Sequence, residues 1–193
     1  MIQSLASGYS APDLADLAGL LRALHSSAQP YLEQSVRGGT QTDRSLLLRC
    51  EAPLQAVKAR LLDLIRDYIA ALPAPDPQHP LLSAPRGGDL LIEGSWSVRL
   101  AQQGYNVPHT HARGWLSTAF YVALPGDLGE PPAGHIAFGQ APAELGLDLP
   151  AYRTIAPVAG QLAVFASTMW HNTVPFAAGE RLVIAFDVRR PAA

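Results

Sequence analysis

Pro108-His109-Thr110-His111 leads into the apolar run Trp115 to Leu124, and reading this stretch as extended chain decides the fold. Alternate residues of a strand point the same way, so His109 and His111 can reach one ion together. A third imidazole, His171, stands in Trp170-His171-Asn172-Thr173, and Arg181 follows ten positions later. Three protein ligands with open positions are what a catalytic metal needs and a structural metal lacks.

Outward from this stretch the pattern is β. Candidate strands are Asp89 to Ile92, Gly94 to Leu100, Trp115 to Leu124, His135 to Phe138, Gln161 to Phe165 and Arg181 to Val188. Loops rich in Gly and Pro separate them, with no helices between. That punctuation argues an antiparallel sandwich or barrel. Before the strands lies a connector, residues 73–88, which holds five prolines and ends in Gly87-Gly88; it wraps rather than folds alone. Residues 1–72 read as a helical support region. Leu14, Leu17, Leu20, Leu21 and Leu24 recur at helical spacing after Pro12 and Asp13. Leu54, Val57, Leu61, Leu64, Ile65, Tyr68 and Leu72 form a second stripe, opened by Pro53. Between them Arg37-Gly38-Gly39-Thr40-Gln41-Thr42 reads as a polar turn. The expectation is one domain over residues 1–193, with residues 89–193 as its β core.

The bulk numbers exclude several function classes. With 48% apolar and 16% charged residues, the chain is an ordinary globular one. Its formal charge is -2, without a basic run, so nucleic acid and anionic membrane surfaces are poor partners. No apolar stretch approaches the roughly 20 residues of a membrane span. The single Cys50 rules out an internal disulfide framework and suits a reducing compartment, and no secretion signal opens the chain. A cytoplasmic protein is expected.

Among the other histidines, His25 on its helix and His79 in the connector read as structural or solvated, and His135 at a strand start could reach a pocket rim. No nucleophile stands out. Cys50 is far in sequence from any histidine pair, and Ser167 lacks the Gly-x-Ser-x-Gly turn. No glycine loop for phosphate is present. No catalytic group is expected beyond the metal ligands.

From Arg37 onward the sequence resembles the iron- and 2-oxoglutarate-dependent oxygenases often found behind tetratricopeptide repeats in bacterial proteins. The resembling stretches are Arg37 to Thr42, Trp96 to Leu100, Pro108 to His111, Gly114 to Ser117, Ala119 to Val122, Gly160 to Phe165 and Met169 to Phe176, leading to Arg181 and Ala185 to Val188. The resemblance implies a double-stranded β-helix, a cupin-like jelly roll with the metal in its mouth and supporting α-helices. It implies Fe(II) and 2-oxoglutarate as cofactors, with O2 and a peptide or small molecule as substrates. His109 and His171 match metal ligands. Arg181 matches the residue that pairs with the far carboxylate of 2-oxoglutarate, a role suited to a guanidinium's two parallel hydrogen bonds. Tyr121 matches a tyrosine whose hydroxyl helps hold that carboxylate.

Two positions depart from the superfamily's pattern. Where His-x-Asp or His-x-Glu is common, His111 holds the carboxylate position. Either three neutral histidines form the site, or His111 points away and another group or water fills the place. Three neutral ligands leave the ion its full double charge, which favours an anionic co-substrate and disfavours higher iron oxidation states. Val183 stands where many relatives place Ser or Thr to assist the carboxylate. Around the motif, Trp115 and Trp170 could wall the pocket or sit in the core. Arg113 could meet an anionic substrate or face solvent. Asn106 could contact substrate or shape the turn before His109. Asp187 could hydrogen-bond an imidazole or face solvent. Two other classes stay open. One is a three-histidine metalloenzyme of another kind, a zinc hydrolase or lyase or a thiol dioxygenase. The other is a non-catalytic metal-binding module.

Overall fold

Side chains alternate faces along a strand, and this period sorts the β core into a helix-covered side and a site side. The computed structural model describes residues 1–26 and 34–192. In chain order its elements are β1 (Gln3–Ala6), α1 (Ala11–Leu24), β2 (Val36–Gln41), α2 (Ala52–Ala70), β3 (Ile92–Asn106), β4 (Gly114–Ala123), β5 (Ile136–Phe138), β6 (Arg153–Ile155), β7 (Gln161–Ala166), β8 (His171–Thr173) and β9 (Glu180–Arg189). A six-stranded antiparallel sheet runs β1-β7-β4-β9-β3-β2, and a three-stranded sheet runs β6-β5-β8. An antiparallel bridge between His109 and His171 adds a short rung beside β8. The molecule is mainly β, with the two sheets of a double-stranded β-helix and N-terminal helices.

Leu116, Phe120 and Val122 of β4, Leu162 and Val164 of β7, and Leu182, Ile184, Phe186 and Val188 of β9 face the helices and form one cluster with them. Helix α2 contributes Leu54, Val57, Leu61 and Ile65, all fully buried; burying each such side chain stabilises by about 1.5–3 kcal/mol. Ser10 caps α1, accepting from the Asp13 amide while the Asp13 carboxylate accepts from the Ser10 amide. Helix α2 stops at Ala70, and Pro73 cannot extend it. The Pro-rich connector then wraps back, and its Leu81 carbonyl accepts the Trp115 indole N–H at 2.9 Å.

Several elements differ from the sequence reading. Arg37 to Thr42 is no turn: Val36–Gln41 is an edge strand paired with β3. Its glycines serve close approach, since a Cβ on Gly39 would lie 2.2 Å from the Arg99 carbonyl oxygen. Asp89 to Leu91 is not strand, whereas β3 starts at Ile92 and continues to Asn106. It passes through Gln102 and Gln103, whose φ of 39° and 67° mark an irregularity. The strands β1, β6 and β8 have four residues or fewer, too short to show a period.

Candidate functional site

The opposite face of the large sheet carries the polar residues. Arg181, Val183, Ala185 and Asp187 alternate with the core residues of β9, and Ser117, Ala119 and Tyr121 do so on β4. Of these, Arg181, Val183, Ala185 and Ala119, with Trp96 and Val98 of β3 and Phe165 of β7, line a cavity of about 470 Å3, closed on the far side by Ile136, His171 and Thr173.

His109 and His111 lie in the extended loop between β3 and β4 rather than on a strand. Backbone bonds still hold the alternation. The amides and carbonyls of His109 and His171 exchange two bonds of 3.0 Å, and the His111 amide donates to Ser167 at 2.9 Å. The rings converge, with centroids 4.2 Å apart for His109 and His171 and 5.1 Å from each of these to His111. The His111 ring therefore points in toward the other two.

Each Nδ1 is engaged. His109 Nδ1–H donates to the Val107 carbonyl at 2.7 Å, His171 Nδ1–H to the Met169 carbonyl at 3.0 Å, and His111 Nδ1–H to the Asp187 carboxylate at 2.7 Å. These partners only accept, so the proton sits on Nδ1 and the Nε2 lone pairs are left for a ligand. One ligand nitrogen from each histidine lies within 4.8 Å of the other two. Three such nitrogens suit one ion at bonds of roughly 2.1 Å. Burial holds the His109 pKa down to about 4 and the His171 pKa well below its ordinary value, aided for His171 by its two histidine neighbours. Both are neutral, ligand-competent imidazoles at neutral pH.

Arg181 is 3% exposed, and its Nε has no hydrogen-bond partner. Among the described residues no carboxylate pairs with it. Its guanidinium carbon lies 5.0 Å from the centroid of the Tyr121 ring. Among the described residues the Tyr121 hydroxyl, also buried, has no hydrogen-bond partner, and burial raises its pKa. A buried cation without a counter-ion is costly unless an anion arrives. The cavity thus holds three lone pairs for a cation and, across from them, one guanidinium for an anion.

Of the residues proposed around the pocket, Asn106 lines it and the others do not. A register shift between Gly114 and Leu116 turns Trp115 to the helix side, beside Leu116 in the same cluster. Arg113 lies at the surface, its side chain 85% exposed and paired with Glu93. Trp170 is half-buried outside the cavity lining. His135 also lies off the cavity, His25 is half-buried between Thr40 and Ser97, and His79 accepts amides of the connector. The sequence reading left Trp96, Arg37 and Gln41 out of the lining and gave Ser117 no role. Parity was the available signal for Asp187, which stands six residues beyond Arg181 and so on the same face.

Residues 94–187 match the family model described as "Putative 2OG-Fe(II) oxygenase". No curated protein matches the chain in sequence. Among solved structures, the chain is similar to a Pseudomonas putida prolyl-4-hydroxylase, at 19% identity and a TM-score of 0.62, over 99% of this chain and 93% of that one. It is similar to the collagen prolyl hydroxylase of Paramecium Bursaria Chlorella virus-1, at 13% identity and a TM-score of 0.60, over 98% and 96%. It also resembles HygX from Streptomyces hygroscopicus, solved with nickel and 2-oxoglutarate, at 12% identity and a TM-score of 0.62, over 98% and 82%. At these identities the likeness carries the fold alone. The stretch that matches the 2OG-Fe(II) oxygenase model, residues 94–187, contains all three histidines and Arg181.

Proposed function

We propose that the protein is an Fe(II)- and 2-oxoglutarate-dependent oxygenase that hydroxylates a peptide or small-molecule substrate, with the whole chain acting as one domain in the cytoplasm. The observation that carries this reading is the buried Arg181, with no carboxylate partner among the described residues, in the same cavity as three converging histidines. His109, His111 and His171 would hold the iron through Nε2. Arg181 would bind the far carboxylate of 2-oxoglutarate, with the Tyr121 hydroxyl as a second donor. Bound there with O2, the pair would supply oxidative decarboxylation of 2-oxoglutarate to succinate and carbon dioxide with one oxygen atom, and hydroxylation of a substrate carbon with the other.

The chain's own residues orient and enclose. The Nδ1 bonds fix the three ring planes, so little reorganisation accompanies metal binding. Phe165 and Ile136 exclude water behind the histidines, while Trp96, Asn106 and Thr173 border the space left for substrate. A hydrolytic zinc site would have no use for Arg181, which favours the oxygenase among three-histidine enzymes. Among the described residues no helix is long and apolar enough to cross a membrane. The test is purified protein with Fe(II) under air. Binding of 2-oxoglutarate and formation of succinate are expected; absence of both overturns the reading.

A further inference from the structure

Asp187 lies directly behind His111. Both of its carboxylate oxygens stand 2.7 Å from His111 Nδ1. On its other side the Ser117 hydroxyl donates to Oδ1 at 2.6 Å and also contacts the Ser167 hydroxyl at 2.9 Å. Ser117 and Asp187 face each other across the β4–β9 ladder. The pocket is shaped to admit them, since a Cβ on Gly114 would lie 2.5 Å from Ser167 Oγ and 3.2 Å from Asp187 Cβ. Asp187 is 4% exposed, and among the described residues His111 is its only chargeable ion-pair partner. A carboxylate buried this deeply is costly unless a positive charge compensates it. His111 is bonded to it through Nδ1, which leaves Nε2 free for a ligand on the cavity side, where a bound cation would compensate the carboxylate.

We propose that Asp187 is a positioning residue which supplies, through the His111 ring, the negative charge that a carboxylate ligand would give a metal directly. The ligand set is then three histidines by atom, and two histidines and an anion by charge. A carboxylate that accepts the Nδ1 proton fixes the tautomer, aims Nε2, and makes that nitrogen a stronger donor. This inference rests on the metal reading of the preceding subsection, and it corrects the expectation that the cation keeps its full double charge.

The test is anaerobic titration of the whole apo-protein with Co(II), read by calorimetry and by the Co(II) absorption spectrum, alongside thermal melting of each apo form. Wild type should bind one ion. Failure to bind would overturn the metal reading and this inference with it. Asp187→Asn keeps an acceptor for the His111 N–H but removes the charge. It should weaken Co(II) binding about 10-fold, and Asp187→Ala about 10–100-fold. The apo form of Asp187→Asn, which keeps an acceptor there, should melt no lower than wild type, because a buried charge has gone. Binding by Asp187→Asn as tight as wild type, or an apo form that no longer folds, would overturn the inference while leaving the metal site standing. A second background guards the conclusion. In His111→Asp the charge sits on the ligand itself and Asp187 becomes a repelling neighbour, so adding Asp187→Asn should leave Co(II) binding unchanged or tighten it. A 10-fold loss in both backgrounds would show that Asp187 acts by packing alone.

Discussion

At the scale of single residues, two buried polar groups separate binding of the anion from binding of the metal. Among the described residues Arg181 has no carboxylate partner, so Arg181→Ala should leave the histidines in place. A hydrogen bond to a charged group is worth about 1.5–3 kcal/mol, so the loss in 2-oxoglutarate affinity should be about 10–100-fold. Calorimetry with 2-oxoglutarate and, separately, with Co(II) checks this; an equal loss for both ligands would mean that Arg181 holds the fold rather than the anion. Tyr121→Phe removes a hydroxyl that has no partner among the described residues. It should weaken 2-oxoglutarate by roughly 2–10-fold, the value of one ordinary hydrogen bond, and it should not lower the melting temperature. The residues that carry this chemistry were legible because few side chains do it. Three imidazoles and a guanidinium are conspicuous in a chain with 6 histidines. The pocket walls were harder to read, since Trp115 and Trp170 are as much at home in a core as beside a substrate.

Among the elements, strand β2 shows a glycine pair whose purpose is invisible in one dimension. Gly-Gly with polar neighbours reads as a turn, yet Gly39 lies where β2 closes on the Arg99 carbonyl. Gly39→Ala forces backbone apart rather than a flexible side chain, so it should destabilise by about 1–3 kcal/mol; urea denaturation measures it, and an unchanged midpoint would refute the contact. Helix α1 was readable from both its stripe and its cap. Ser10→Ala removes the acceptor of the capping box and should cost about 1 kcal/mol in the same experiment.

For the whole molecule, the buried histidines link stability to pH. Burial holds the His25 pKa near 4, helped by Arg99, and burial likewise holds the His109 pKa near 4. Unfolding returns both to about 6.5. The unfolded chain therefore binds more protons between these values. The stability of the metal-free protein should be full above pH 6.5 and fall steadily as pH drops toward 4. Melting temperatures across that window check it, and a flat profile would contradict the burial of these rings. Metal at about 100 times its Kd should add about 2.7 kcal/mol. For a chain of this size that is a rise of roughly 5–10 °C in Tm, reversed by a chelator.

Residue identities and their spacing alone set the chemistry and its parity. Histidines one residue apart must share a side in extended chain, whichever strands they meet. Arg181, Val183, Ala185 and Asp187 must likewise share a face of β9. Local stereochemistry fixes both statements, because successive Cβ atoms of extended chain point to opposite sides. Only the tertiary structure decided which faces meet. A shift in register beside Gly114 sent Trp115 to the helices, and pairing of β4 with β9 set Ser117 against Asp187. The placing of a carboxylate 2.7 Å behind His111 joins positions 76 residues apart. Such a contact depends on long-range register, which strand pairing and bulges set and no local periodicity encodes.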